Sequence, residues 1–252
     1  MAERGLAVSR TSAAESVRAG RVRIGPDGPV ALKPSQLVAE DAQLLVAEPP
    51  RHVSRGGRKL ENALDALGLE VGGRGCHDVG ASTGGFTDCL LQRGAARVIA
   101  LDVGFGQLDW RLRGDGRVAV MERFNARELA PEHLPFAPSL VTVDVSFISL
   151  SKLLVPLASC LAPGGELLAL VKPQFELGRG RVGKGGVVRD PADRREALRS
   201  AASAAGDAGL AVRGFASSGL PGPKGNRETF LHCTLADAGL GDVEMAVREV
   251  EP

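Results

Sequence analysis

The chain has 252 residues, 44% hydrophobic and 24% charged, with a formal net charge of +1 at pH 7. That length suits one substantial α/β domain with a small appendage and excludes two full catalytic domains. No apolar run approaches the roughly 20 residues of a membrane helix, and the first residues, with Glu3, Arg4 and Arg10, lack a secretory pattern. A cytoplasmic protein without membrane segments is therefore expected. Cys76, Cys89, Cys160 and Cys233 are scattered with no C-x-x-C pair. They read as reduced, mostly buried thiols, and neither a zinc site nor any other metal site is expected.

Taken in chain order, Ser12-Ala13-Ala14-Glu15 has capping-box spacing and predicts a helix over 13–19, ended by Gly20. Residues 21–47 alternate apolar and polar side chains around a Gly25-Pro26-Asp27-Gly28 turn, with a second apolar run over 42–47. This predicts a helix-plus-hairpin module over 1–48. The module is basic, with Arg4, Arg10, Arg18, Arg21 and Arg23 against Glu3 and Glu15 in its first 24 residues. A basic linker over 49–57 follows, opened by Pro49 and Pro50 and bearing Arg51 and Arg55.

Residues 58–252 then alternate helical and strand-like runs. Leu60, Ala63, Leu64 and Leu67 share a helical face that ends at Gly68, and strands are predicted over 75–79, 97–101, 140–144, 166–171, 211–216 and 229–235. That alternation is the pattern of an α/β, doubly wound, mostly parallel sheet. The tail over 237–252 reads as a short acidic helix or a frayed end.

The most informative stretch runs from Cys76 to Asp88, a strand that breaks into Gly80, Gly84 and Gly85 and restarts as a helix. Glycines at such a turn let backbone N–H groups approach a ligand, and the helix presents its positive end. As Gly80-x-Ser82-x-Gly84 the string matches a nucleophile elbow, yet no HGGG-type oxyanion loop is present and His232 sits inside an apolar strand run. The G-x-G-x-x-G spacing of a nicotinamide loop is not met. An S-adenosylmethionine (SAM) loop fits better, because Asp102 ends the next strand about 20 residues on, where a carboxylate can accept from ribose hydroxyls. Gly178-x-x-x-x-Gly183-Lys184 imitates a phosphate loop, but Gly185 replaces the hydroxyl that would hold magnesium. With Arg179, Arg181 and Lys184 this segment reads instead as a mobile basic loop able to close on a polyanion.

Ligand sites in such sheets lie at the carboxyl ends of strands. Asp144 and Lys172 end two apolar runs there, Glu228 opens the last strand, and Lys59 begins the first helix of the domain. These four charges sit on elements that the fold would bring to one edge, where a desolvated lysine can serve as a general base. Phe147, just past Asp144, could stack on a flipped base or pack in the core.

The segments VSRGGRKL, DVGASTGGFTD, LDVGFGQLDWRLR, ERFNAR, DVSFISL, LVKPQFELGRG, VGKGGVVRDP and LPGPKGNRETF resemble the TlyA (haemolysin-A-like) family of ribosomal RNA ribose 2′-O-methyltransferases, within the FtsJ-like group. The resemblance runs from about Val53 to Leu235. It implies a Rossmann-like SAM-dependent methyltransferase domain and a Lys-Asp-Lys-Glu tetrad at Lys59, Asp144, Lys172 and Glu228. It also implies SAM held by Gly80, Ala81, Ser82, Thr83, Gly84, Gly85 and Phe86, with Asp78, Asp102, Asn125 and Asp144 beside them. Residues 3–48 resemble the ribosomal-protein-S-four-type RNA-binding module of this family, with its first helix shortened. Shortened members resemble the subgroup that modifies large-subunit RNA, so methylation of a cytidine ribose in that RNA is expected. RNA contacts are expected from Arg4, Arg10, Arg18, Arg21, Arg23, Arg51, Arg55, Phe147, Arg179, Arg181 and Lys184. The linker reads Pro50-Arg51-His52-Val53 where some members have a Trp. Two alternatives from other classes stand beside this expectation: a small-molecule O-methyltransferase and a non-catalytic RNA-binding assembly factor. The basic module disfavours the first, since a small substrate needs no polyanion track.

Overall fold

The structure, a computed structural model, describes residues 1–48, 50–183, 185–236 and 238–251, with the backbone alone at Arg179. Two of the expected residues, Pro49 at the linker boundary and Lys184 in the basic loop, lie outside the described residues. The chain divides into two compact units, Met1–Arg51 and His52–Pro252.

In the first unit, helix α1 spans Arg10–Arg18 and begins earlier than the Ser12–Glu15 spacing predicts. Ser9 takes the capping role: its backbone is extended and its hydroxyl accepts the Ser12 N–H at 3.1 Å, which leaves Ser12 inside the first turn. Gly20, at φ 68°, turns the chain into strand β1, Val22–Ile24. This strand pairs antiparallel with β2, Leu44–Val46, placing Val22 opposite Val46. Val17, Val22 and Ala31 form the small buried core.

The second unit opens with α2, Arg55–Leu67, capped by Ser54 and closed by Gly68 in the left-handed region. Strand β3, Gly75–Val79, leads into α3, Gly85–Gln92, and β4, Arg97–Asp102, leads into the short α4, Trp110–Arg113. Next come β5, Val118–Glu122, β6, Leu140–Val143, α5, Leu154–Cys160, and β7, Glu166–Val171. The chain ends through α6, Pro173–Glu176, α7, Pro191–Asp207, β8, Ala211–Ser217, β9, Thr229–Thr234, and α8, Val243–Val250.

The seven strands lie in the order β5-β4-β3-β6-β7-β9-β8, with β9 antiparallel to both neighbours and the remaining pairings parallel. Strand β5, which the expected strands leave out despite its apolar run Val118-Ala119-Val120-Met121, forms the sheet edge with all five residues half-buried. The central strands are buried on both faces, as a sheet covered by helices on each side requires. Val141 and Val143 pack into the layer with Leu154, Leu157, Ala197 and Ala201, whereas Leu140 packs into the layer with Leu60, Leu64, Leu90 and Phe230. Each fully buried side chain of this size contributes about 1.5–3 kcal/mol relative to exposure.

The tail is docked rather than frayed. Arg194 Nε lies 2.5 Å from Glu251 and Arg199 Nε 2.6 Å from Glu244, so α7 holds α8 through two ion pairs. All four cysteines are buried and free. Among the described residues no helix is long and apolar enough to cross a membrane.

The register sets the position of the site. Val79 lies opposite Leu101 on β4 and Val143 on β6, so these three strands end level with one another. Their exit loops therefore leave the sheet at a single edge.

Candidate active site

Two ion pairs occupy that edge. Lys172, the residue after β7, places Nζ 2.5 Å from Asp144 Oδ1 and donates to Ser146 Oγ at 3.0 Å. Lys59, on the second turn of α2, donates to Glu228 Oε2 directly before β9. Lys59, Lys172 and Glu228 are 6%, 8% and 2% exposed, yet all four charges line one cavity of about 430 Å³ with Phe147, Gln174, Phe175, Pro223 and Asn226. Burying a charge is costly unless it is paired, and here each lysine has its own carboxylate. The four residues proposed from the sequence are thus gathered as two bonded pairs.

The glycine loop forms the adjoining cleft. Gly80 has φ 87°, and a Cβ there would stand 2.4 Å from the Asp144 carbonyl oxygen. Only glycine lets the exit of β3 pass this close to the exit of β6. Gly84, at φ 94°, leaves no room for a Cβ beside Leu112 and opens α3. Gly80, Ala81, Ser82, Thr83, Gly85, Phe86 and Asp78 line the space shared with Lys59, Asp144 and Lys172. Phe86 also belongs to the core, 5.8 Å from the Phe230 ring.

Beyond Gly80 the cleft widens to about 570 Å³ between Asp102, Gln107, Asn125 and Asp144. Asp102 accepts the Ser82 N–H at 2.8 Å and the Gly104 N–H at 2.6 Å, fixing the loops after β3 and β4. Ser82 Oγ donates to Gln107 at 3.2 Å, and His232 bonds Glu166 at 2.9 Å at the far end of β7. Ser82 and His232 therefore do not form a nucleophile–base pair. Asn125 caps the turn over Ala126–Glu128 through its side-chain oxygen.

Asp78 is fully buried and accepts the Thr87 N–H at 2.8 Å and its hydroxyl at 2.7 Å, both at Oδ2. Oδ1 has no partner, and burial pushes the carboxyl up to about 7, an effect Thr87 opposes and Asp144 reinforces. An unpartnered buried acceptor beside a glycine loop suits the cationic amino-acid end of a cofactor such as SAM, with the nucleoside in the wider cleft. The residues present fit that group.

The expected RNA-contacting residues are spread over both units. Arg4 donates to the carbonyls of Ala42 and Glu40, Arg10 pairs with Glu3 at 3.2 Å, Arg21 donates to Ser16 and Arg23 to Gly28. Arg18 and Arg51 are exposed, and Arg55 lines the glycine-loop space. Phe147 is 91% exposed, at φ 66°. Arg181 is held by Asp193 at 2.6 Å, and Arg179 stands in the turn over Arg179–Arg181.

Sequence reasoning missed Ser146, Gln107, Thr87, Glu176 and Asn226. Asn226 is 2% exposed; it accepts from the Val188 N–H at 2.9 Å and donates to the Gly186 carbonyl at 2.8 Å, fastening the basic loop to the segment before β9. No local signal marks Asn226, whose partners lie 38 and 40 positions away.

A solved structure from Listeria monocytogenes, designated an S-adenosylmethionine-dependent methyltransferase, superposes with a TM-score of 0.54 over 73% of this chain and 100% of its own, at 13% identity. That likeness places the second unit among Rossmann-like α/β folds. The chain belongs to the FtsJ-like methyltransferase family, whose sequence profile matches residues 52–234. It is 50% identical over 233 residues, 92% of this chain and 86% of the relative, to the 16S/23S rRNA (cytidine-2′-O)-methyltransferase TlyA of Mycobacterium tuberculosis. A solved structure from Streptococcus thermophilus with a hemolysin designation is 42% identical, with a TM-score of 0.78 over 96% of this chain and 88% of its own. Membership of this family implies SAM as methyl donor.

Proposed function

We propose that the protein transfers a methyl group from SAM to the 2′-hydroxyl of a cytidine ribose in ribosomal RNA. The observation behind this reading is the pairing of Lys59 with Glu228 and Lys172 with Asp144 around one cavity that adjoins the Gly80 loop. SAM, when bound, supplies a methyl group on a sulfonium. The family match and the identity to an rRNA cytidine-2′-O-methyltransferase support the substrate class.

Asp78 would hold the cofactor's ammonium, the Gly80–Phe86 backbone its amino-acid portion, and Asp102 with Asn125 its ribose and base. A ribose hydroxyl is a weak nucleophile near neutral pH, so its proton must be drawn off as the oxygen reacts. Lys172 Nζ, fixed by Asp144 and Ser146, orients the hydroxyl as an ammonium, and as a neutral amine it takes that proton. Lys59, held by Glu228, adds positive charge on the same cavity and orients the hydroxyl. Phe147 stacks on the target nucleobase. The arginines of the first unit, with Arg51, Arg55, Arg179, Arg181 and Lys184, meet the phosphate backbone. Such a protein works in the cytoplasm, where ribosomal RNA is found.

Lys172→Ala tests the assignment. Methyl transfer to ribosomal RNA should fall by about 10²- to 10⁴-fold, the usual worth of general base catalysis, while SAM affinity stays within about threefold. Transfer at the parental rate would remove Lys172 from the mechanism.

A further inference from the structure

Phe147 combines a left-handed backbone with a ring that is almost wholly exposed. The left-handed region is a genuine outlier for a bulky residue, and an exposed ring gains nothing from burial. Such a conformation persists only where neighbouring structure holds it. The segment over 144–150 is held at two points. At its root, Lys172 binds Asp144 and Ser146. At its tip, Glu176 on α6 accepts the Leu150 N–H at 3.0 Å through Oε1 and the Ser149 hydroxyl at 2.7 Å through Oε2.

Phe147 lies between these two points. Its ring stands 5.2 Å from that of Phe175, the residue before Glu176, at 47°. Burial pushes the Glu176 carboxyl above its ordinary range, and the groups that offset this are the neutral donors of Leu150 and Ser149. A half-buried carboxylate whose bonded partners are neutral donors is an expensive way to close a turn. Its geometric effect is specific, because it ties the exit of β6 to the helix that follows Lys172.

We propose that Glu176 is a positioning residue for the RNA substrate: its two hydrogen bonds hold the turn at Ser149 and Leu150 so that Phe147 stays raised beside the catalytic cavity. The proposal rests on the reading of Phe147 as the platform for the target nucleobase. Glu176 itself touches no reacting atom, so its loss acts through the platform.

Steady-state methylation of ribosomal RNA by Phe147→Ala, Glu176→Ala, Glu176→Gln and the double alanine variant tests this, with SAM affinity measured alongside by calorimetry. Glu176→Ala should raise the RNA KM about tenfold, a value set by the loss of one base-stacking contact, and leave SAM affinity within about twofold. Glu176→Gln should return KM to within about threefold of the parent, since an amide can accept from Leu150 and donate to the Ser149 hydroxyl. The double variant should be no worse than Phe147→Ala. A parental KM for Glu176→Ala beside a raised KM for Phe147→Ala would overturn the positioning role alone, and multiplied effects in the double variant would do the same. A parental KM for Phe147→Ala would overturn the platform reading and the proposal with it. If Glu176→Ala also loses SAM binding, Ser149→Ala, which deletes one hydrogen bond, decides the matter: about a threefold rise in KM is expected, and no rise contradicts the proposal.

Discussion

The two ends of the central sheet use the same chemistry to different effect. At the amino end, Glu166 opens β7 and binds Arg74 at 2.5 Å and His232 at 2.9 Å, a partly buried cluster of one acid and two bases. At the carboxyl end, Lys59–Glu228 and Lys172–Asp144 form a cluster of similar make-up. The second opens onto the cavity and the glycine-loop space, and the left-handed non-glycine residues Ser82, Arg123 and Phe147 all follow strand exits at that end. Buried ion pairs therefore do not mark a site by themselves. What separates the two clusters is the space in front of the charges and the strained loops around it, and both come from the exits of parallel strands lying side by side.

Damaging each cluster in turn separates their roles. Lys172→Ala should cost orders of magnitude in turnover per folded molecule, whatever stability is lost with the partner of Asp144. Glu166→Gln should do the reverse, lowering stability by about 1–3 kcal/mol because Arg74 and His232 lose a partly buried partner, while turnover per folded molecule holds. Chemical denaturation and single-turnover methylation on the same preparations read both quantities. A turnover defect in Glu166→Gln equal to that of Lys172→Ala would erase the distinction between the ends.

A smaller effect comes from Asp78, whose carboxyl is raised from 3.8 to about 7 by burial. Between those values the folded protein holds a proton that the unfolded chain has released, so this residue makes stability fall as pH rises across that window. A cationic ligand favours the ionised form. SAM affinity should accordingly tighten by roughly fivefold between pH 6 and pH 8, and Asp78→Asn should flatten that profile. Calorimetric titration at several pH values reads the slope directly, and an unchanged slope in Asp78→Asn would detach Asp78 from the cofactor.

Much of this was legible in the residue order, and the exceptions share a cause. Asp102, Asp144 and Lys172 stand at ends of apolar runs, and Gly80 ends a short strand-like run, so chain direction assigns them to the ligand edge. The pairing of Lys59 with Glu228 spans 169 positions; it is implied by resemblance and has no local signal. Strand β5 carries a short apolar run, Val118-Ala119-Val120-Met121, that the expected strands pass over, and α1 starts three residues before the expected position because Ser9 Oγ takes the Ser12 N–H and so places Ser12 inside the first turn. Glu176 and Asn226 were invisible for a related reason. They act on backbone groups that the fold brings near, and a sequence does not advertise which backbone will need holding.

If the carboxyl-end cluster methylates a ribose hydroxyl in ribosomal RNA, position-resolved mapping of 2′-O-methylation will reveal the product. Ribosomal RNA treated with the protein and SAM should gain 2′-O-methyl groups at one or a few cytidines, and the Lys172→Ala protein should leave those positions unmodified. Methyl groups found on bases, or ribose methylation that persists with Lys172→Ala, would contradict the account.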